Sequence, residues 1–178
     1  QMKDRLATTK SVLGPMIDKF KEMGPEGEVV AAVTGGAIAI NEAFVTMSEN
    51  VAKGANKTAA GLEMASAVIG QVANIAAAGS KAKIAGIDKE IAAEKKRDGK
   101  SAQSIQRIRG LEKKKEAEKR KAFEMNKKMM IAQAVIATAS GMIGAYAGLL
   151  GTPMAPIAAA VAAMIGVFGA AQIAIISG

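Results

Sequence analysis

The boundary between a highly charged segment and an uncharged one is the feature that most constrains the fold of this chain. Residues 81–128 contain 17 Lys or Arg residues against 8 Asp or Glu residues, whereas residues 129–178 contain none of these four types. A charged side chain on a buried or bilayer-facing helix is costly. The long uncharged run is therefore suited to leaving water, either for a lipid bilayer or for a bundle of several copies of the chain.

The composition favours long helices that associate with other chains. Half of the residues are apolar, but there are only four Phe, one Tyr and no Trp. Ala and Gly let helices approach closely and bury little area each, so a monomeric core would be thin. The absence of Cys and His removes disulfides, thiolate ligands and imidazole chemistry. Because no catalytic constellation is visible either, we expect no catalytic residue, metal site, cofactor or enzymatic activity.

The periodicity predicts an all-α fold, since no segment alternates with a period of two and only four prolines occur. We predict that residues 1–53 form a helical, partly mobile N-terminal segment, in which residues 26–53 are mobile and moderately helical. Gly14 and Pro15 should interrupt a helix there, and Gly35 and Gly36 should weaken a second one. Residues 29–40 are uncharged but are expected to be too short to span a bilayer.

Residues 54–128 are predicted to form a charged, antiparallel, coiled-coil-like helical hairpin. Apolar residues recur at steps of three and four on both sides of a short polar segment. That segment is the expected hairpin tip, with Gly99 after the first helix and Ser101 capping the second; the tip comprises Asp98, Gly99, Lys100 and Ser101. Arms of about forty residues would reach roughly 60 Å.

Residues 129–178 are predicted to form an uncharged, apolar helical hairpin that assembles with its copies into an oligomeric bundle. Each helix is about the length that spans a bilayer. The expected membrane or oligomer packing residues are Ile131, Val135, Ile136, Met142, Ile143, Leu149, Ile157, Val161, Met164, Phe168 and Ile175. The expected helix-packing glycines are Gly141, Gly144, Gly148, Gly166 and Gly169.

A basic surface is predicted on the second arm of the charged hairpin. It comprises Lys113, Lys114, Lys115, Lys119, Arg120 and Lys121. Interleaved glutamates favour a solvated coiled-coil face, with phosphates of a nucleic acid or an acidic protein wall as the other readings. Few aromatic residues are present for base stacking, so no specific nucleic acid is expected.

The segment from Glu112 to Gly141 resembles the C-terminal part of phage tail tape measure proteins. In it a Lys/Glu-rich helix passes through Ala122, Phe123, Glu124, Met125, Asn126, Lys127 and Lys128 into an uncharged Ala/Ile/Gly helix. A break at Pro153 and Pro156, followed by a second Ala/Gly/Ile helix, strengthens the likeness. The likeness covers residues 81–178 and rests on this pattern.

The resemblance implies a long helical protein that lies in a few copies along the lumen of a phage tail tube and sets the tail length. Its C-terminal part would lie near the tail tip. The implied partners are its own copies, as a trimer or hexamer, the tail tube, and tail tip or baseplate hub proteins. During ejection the protein would leave ahead of the DNA, and its apolar segments would enter the host inner membrane. No peptidoglycan-cleaving domain is recognised here, so wall digestion is not assigned.

Two other functions fit the same residues. A resident membrane protein, pore-forming or holin-like, would use the same apolar hairpin. A cytosolic coiled-coil scaffold would use the charged hairpin and would not bind lipid.

Overall fold

The computed structural model describes residues 2–149, which form four α-helices. Helix α1 spans Met2–Glu22, α2 spans Pro25–Ala52, α3 spans Lys57–Arg97 and α4 spans Ala102–Leu149. No strand occurs among these residues. The predicted all-α class is therefore confirmed for the part of the chain that the structure describes.

The helix boundaries follow from local chemistry. The Asn56 side chain caps α3, because its Oδ1 accepts hydrogen bonds from the backbone N–H groups of Thr58 at 2.9 Å and Ala59 at 3.2 Å. Pro25 occupies the first turn of α2, where its missing N–H has no intrahelical partner to lose. Gly99, after α3, has φ of 67°, a conformation that glycine adopts without strain.

The break expected at Gly14 and Pro15 is wrong, because α1 continues through both residues. Pro15 removes one backbone hydrogen bond from the helix. Contacts with α2 hold α1 on both sides of it: Lys3 pairs with Glu49 at 2.7 Å before the proline, and Ile17 approaches Gly35 after it. Tertiary packing thus maintains a helix that the local sequence disfavours.

The expectation that residues 26–53 are only moderately helical is also wrong, because α2 is continuous over 28 residues. Their mobility stays a prediction. The two central glycines of α2 allow close packing on two sides. Ile17 of α1 lies 4.0 Å from the position of a Cβ on Gly35, and Ile75 of α3 lies 3.1 Å from that on Gly36. The intrinsic helix-weakening effect of these glycines is thus offset by close approach of both neighbouring helices.

Consecutive helices are antiparallel, and ion pairs indicate how they align. Lys81 of α3 lies 2.6 Å from Glu28 of α2. Between α3 and α4, Lys115 pairs with Asp88 at 2.6 Å and Lys83 approaches Glu118 at 3.8 Å. Helices of 41 and 48 residues extend for about 62 and 72 Å, so the α3–α4 pair is a long helical hairpin.

The four helices form an open layer. Within residues 2–149, α1 contacts only α2, α2 contacts α1 and α3, and α4 contacts only α3. Few side chains are buried as a result, and the buried apolar ones in this part of the chain are Leu6, Ala31, Val45, Ala60, Ile91 and Ile108. The layer therefore exposes apolar helix faces that no other helix of residues 2–149 covers.

Candidate interaction surfaces

The predicted hairpin tip lies in the loop between α3 and α4, and its own side chains order it. Asp98 Oδ1 accepts hydrogen bonds from the backbone N–H groups of Lys100 at 3.3 Å and Ser101 at 3.1 Å. The Ser101 hydroxyl donates to the other Asp98 oxygen, and this bond contributes most to holding the pKa of Asp98 below its usual value. Ser101 Oγ also accepts from the Ser104 N–H at 3.1 Å, which is the N-cap contact predicted for α4.

A buried polar contact behind the tip was not predicted. Ser104 is 1% exposed, and its hydroxyl donates to Glu94 Oε1 at 2.8 Å while accepting from the Gly99 N–H at 3.1 Å. Arg97 contacts the same carboxylate at 2.7 Å. Hydrogen bonds from Arg97 first, and then from Ser104, lower the pKa of Glu94. The sequence did contain a signal for the burial of Ser104. Ser104 precedes Ile108 by four residues, and Ile108 precedes Leu111 by three, so all three lie on the face that packs against α3.

The predicted basic surface divides into two groups. Lys115 faces α3 and pairs with Asp88, while Lys119 pairs with Glu116 at 2.8 Å and Lys121 with Glu118 at 3.1 Å within α4. The second group comprises the other three predicted residues, Lys113, Lys114 and Arg120, which are exposed and have no carboxylate partner within 4.0 Å among residues 2–149. The second group is available to an anionic partner without breaking an ion pair.

The predicted apolar packing residues on α4 are only partly covered. Ile131, Ile136, Ile143 and Gly141 are half-buried, and Gly144 has open space where a Cβ would lie. Val135 and Met142 are 48% and 38% exposed. Gly148 and Leu149 belong to the last turn of α4. The remaining predicted residues lie outside the described ones: Ile157, Val161, Met164, Gly166, Phe168, Gly169 and Ile175.

Two further uncharged segments lie outside the predicted membrane or oligomer packing residues. Residues 29–41 of α2 and 64–80 of α3 contain no charged residue and lie side by side, with the Lys81–Glu28 pair at one end. By length and composition, α2 and α3 could each cross a membrane. Residues 29–40 lie within the 28-residue helix α2, and Glu28 and Glu42 flank the uncharged run. That the run by itself is too short to span a bilayer stays a prediction.

A groove of about 400 Å³ opens between α3 and α4 near the start of the uncharged run. Ala73, Ala76 and Ile84 line one side, and Phe123 and Met129 line the other. Phe123 is 66% exposed, so a large apolar side chain faces water among the charged residues of this part of α4. No group of three or more Asp or Glu residues that could hold a metal ion occurs within the described residues.

No protein family, no curated protein and no solved structure matches this chain. The functional argument therefore rests on the surfaces described above and on the residue pattern of α4.

Proposed function

We propose that the chain is a structural component of a phage tail, the C-terminal part of a tape measure protein, and not an enzyme. The observation that carries the proposal is the continuity of α4. This single helix is highly charged through Lys128 and uncharged from Met129, so it joins a solvated hairpin to an apolar surface without a break. The same transition carries the resemblance to tape measure proteins.

The open layer supports assembly with other copies of the chain. Val135 and Met142 on α4, and Val33 and Val72 on α2 and α3, remain substantially exposed. Packing these surfaces against the same helices of other copies would remove apolar area from water, which favours assembly. In the proposed role, residues 129–150 and 154–176 form an apolar hairpin, and the chain assembles as an oligomeric bundle. A trimer or hexamer would suit the symmetry of a tail.

The charged hairpin supports storage inside a tube. In the proposed role, unpaired cations such as Lys113, Lys114 and Arg120 face an acidic lumen wall near the tail tip or baseplate hub. Exposed ion pairs are individually weak and are screened by salt. Many such pairs together would hold the hairpin in place, and it would remain releasable because each pair is weak. This role requires no specific nucleic acid.

Membrane entry follows release in this proposal. The apolar side chains of residues 129–150 favour the bilayer by about 2 to 4 kcal/mol together on the insertion scale, while Gln133, Ser140 and the glycines oppose insertion. A segment near this balance is soluble while it is covered by its copies and inserts when lipid replaces them. The protein would thus pass from the tail lumen to the host inner membrane.

A resident membrane protein, pore-forming or holin-like, is the second candidate. The observation that favours it is that α2 and α3 are each long and apolar enough to cross a membrane. Such a protein would require lipid or detergent at all times. A tail component would instead be soluble as a small oligomer before it meets lipid.

The test combines the oligomer mass of the lipid-free chain with its flotation on vesicles. We expect a soluble trimer or hexamer that floats, and we expect flotation to be lost when Ile136→Lys and Val161→Lys are introduced together, because both charges would enter the acyl layer. The matched control is Ala92→Lys with Ala117→Lys, which adds the same charge at exposed positions of the charged hairpin.

The outcomes separate the candidates. A stable oligomer that never floats contradicts membrane entry and favours the scaffold. A chain that is found only in membranes or detergent favours the resident membrane protein. Equal loss of flotation in the control pair would show that added charge alone acts, and it would contradict the assignment of residues 129–178.

A further inference from the structure

One face of α4 changes from cationic to apolar at the end of the charged hairpin. Lys113, Arg120 and Lys127 are spaced by seven residues, so they lie on the same side of the helix. Ile131, Val135 and Met142 continue that side at steps of four and seven. This stripe is on a different side of the helix from Ser104, Ile108 and Leu111, which pack on α3. Its members are exposed except for Lys127 and Ile131, which are half-buried.

The cations at this transition have no carboxylate partner in the part of the chain that the structure describes. Arg120, Lys127 and Lys128 make no ion pair within 4.0 Å among residues 2–149, whereas Lys119 and Lys121 beside them are paired with glutamates of α4. Their charge is therefore not neutralised within this segment. Lys128 is adjacent to the first residue of the uncharged run, so the positive charge ends where the apolar surface begins.

Exposed apolar side chains lie among the same cations. Phe123 precedes Lys127 by four residues, Met130 follows it by three, and all three lie on one side of the helix. Phe123 is 66% exposed and Met130 is 46% exposed. A partner that offers only phosphates would satisfy the cations and leave these apolar side chains in water. A bilayer surface offers anionic groups and acyl chains a few ångströms apart.

We propose that Arg120, Lys127 and Lys128 bind the phosphate groups of anionic lipids and so set the depth and orientation at which α4 enters the bilayer. This inference rests on the membrane entry proposed above and adds the class of lipid and the residues that select it. Long lysine side chains reach from the edge of the acyl layer to the headgroups. The hairpin tip carries further cations, so it stays on the side of the bilayer from which the protein approaches.

The test uses the full chain with vesicles of phosphatidylcholine alone or mixed with phosphatidylglycerol. The junction variant combines Arg120→Gln, Lys127→Gln and Lys128→Gln. The matched control combines Lys95→Gln, Lys96→Gln and Lys100→Gln, which removes the same charge from exposed cations near the tip that also have no carboxylate partner among residues 2–149. Circular dichroism of both variants checks that helicity is retained.

We expect the junction variant to bind the anionic vesicles about 10- to 100-fold more weakly and the tip variant to change by less than about threefold. Because the chain has no cysteine, Ala137→Cys and Ala92→Cys can each carry a single environment-sensitive dye. We expect a blue shift at residue 137 and none at residue 92 on anionic vesicles. The shift at residue 137 should shrink in the junction variant.

Other results would overturn the inference. Equal binding to both vesicle types overturns it and leaves the proposed membrane entry intact. Equal losses in the junction and tip variants also overturn it, because net charge would then account for binding. Failure to bind either vesicle overturns it together with the membrane part of the proposed function. Binding of the junction cations to an acidic protein in preference to anionic vesicles would assign this surface to that protein instead.

Discussion

At the scale of single residues, similar side chains have different roles because of where they lie. Lys115 spans the α3–α4 contact to reach Asp88, whereas Lys113, two residues earlier, is exposed and has no carboxylate partner among residues 2–149. Ser104 is the most buried polar side chain in the described part of the chain and joins Glu94 to the tip. The role of a lysine or a serine therefore cannot be assigned from its residue type alone.

Ser104→Ala should destabilise the hairpin by about 1 to 3 kcal/mol, because it leaves the Glu94 carboxylate and the Gly99 N–H with one partner fewer in a poorly solvated position. The free energy of unfolding, from urea denaturation monitored by circular dichroism, measures the effect. Ser66→Ala, at a partly exposed serine inside α3, is the control and should change it by less than about 0.5 kcal/mol. Equal effects of the two substitutions would contradict a specific role for Ser104.

At the scale of helices, glycine has opposite consequences at different positions. Gly27 in the first turn of α2 lies against the end of α1, and a Cβ there would be 2.0 Å from the Phe20 carbonyl oxygen. Gly86 in the middle of α3 has nothing within 4 Å of that position. The first glycine is needed for the turn between α1 and α2, and the second only adds conformational freedom to the unfolded chain.

Gly27→Ala should therefore destabilise the protein by about 1 to 3 kcal/mol, because backbone must move to admit the methyl group. Gly86→Ala should stabilise it by about 0.5 to 1 kcal/mol through its better helix propensity. Thermal unfolding of both variants under the same conditions gives the comparison. A stabilising Gly27→Ala substitution would contradict the close approach of α1 and α2 described here.

At the scale of the whole molecule, the helices interact in series. Within residues 2–149, α3 is the link between the N-terminal helices and α4, since α4 contacts neither α1 nor α2. Stability in such an arrangement is close to a sum of neighbouring contacts, as in repeat proteins. Distant parts of the layer should respond independently to substitution.

Leu6→Ala, at a buried position of α1, should lower amide hydrogen-exchange protection in α1 and α2 and leave the α3–α4 hairpin near residues 84–118 unchanged. Ile108→Ala, at a buried position of α4, should do the reverse. Hydrogen exchange with mass spectrometry under native conditions resolves the two regions. Loss of protection in α4 caused by Leu6→Ala would indicate a closed bundle in place of the open layer.

The amino-acid sequence determined the helical class, the tip at residues 98–101 and the charge boundary at residue 128, because each depends on neighbours along the chain. The spacing of apolar residues, the positive φ of the tip glycine and the hydrogen bonds of Asp98 and Ser101 each involve residues only a few positions apart. Residues 129–149 were likewise predicted as helix, and α4 includes them.

Only the tertiary structure decided the rest. Pro15, Gly35 and Gly36 lie in continuous helices because α2 packs against both α1 and α3, and contact energy offsets the local cost. The division of the basic surface depends on which lysines reach a carboxylate of the opposite helix, as Lys115 does with Asp88. Both outcomes depend on the register of antiparallel helices, which joins residues far apart in the sequence and cannot be read from local propensity.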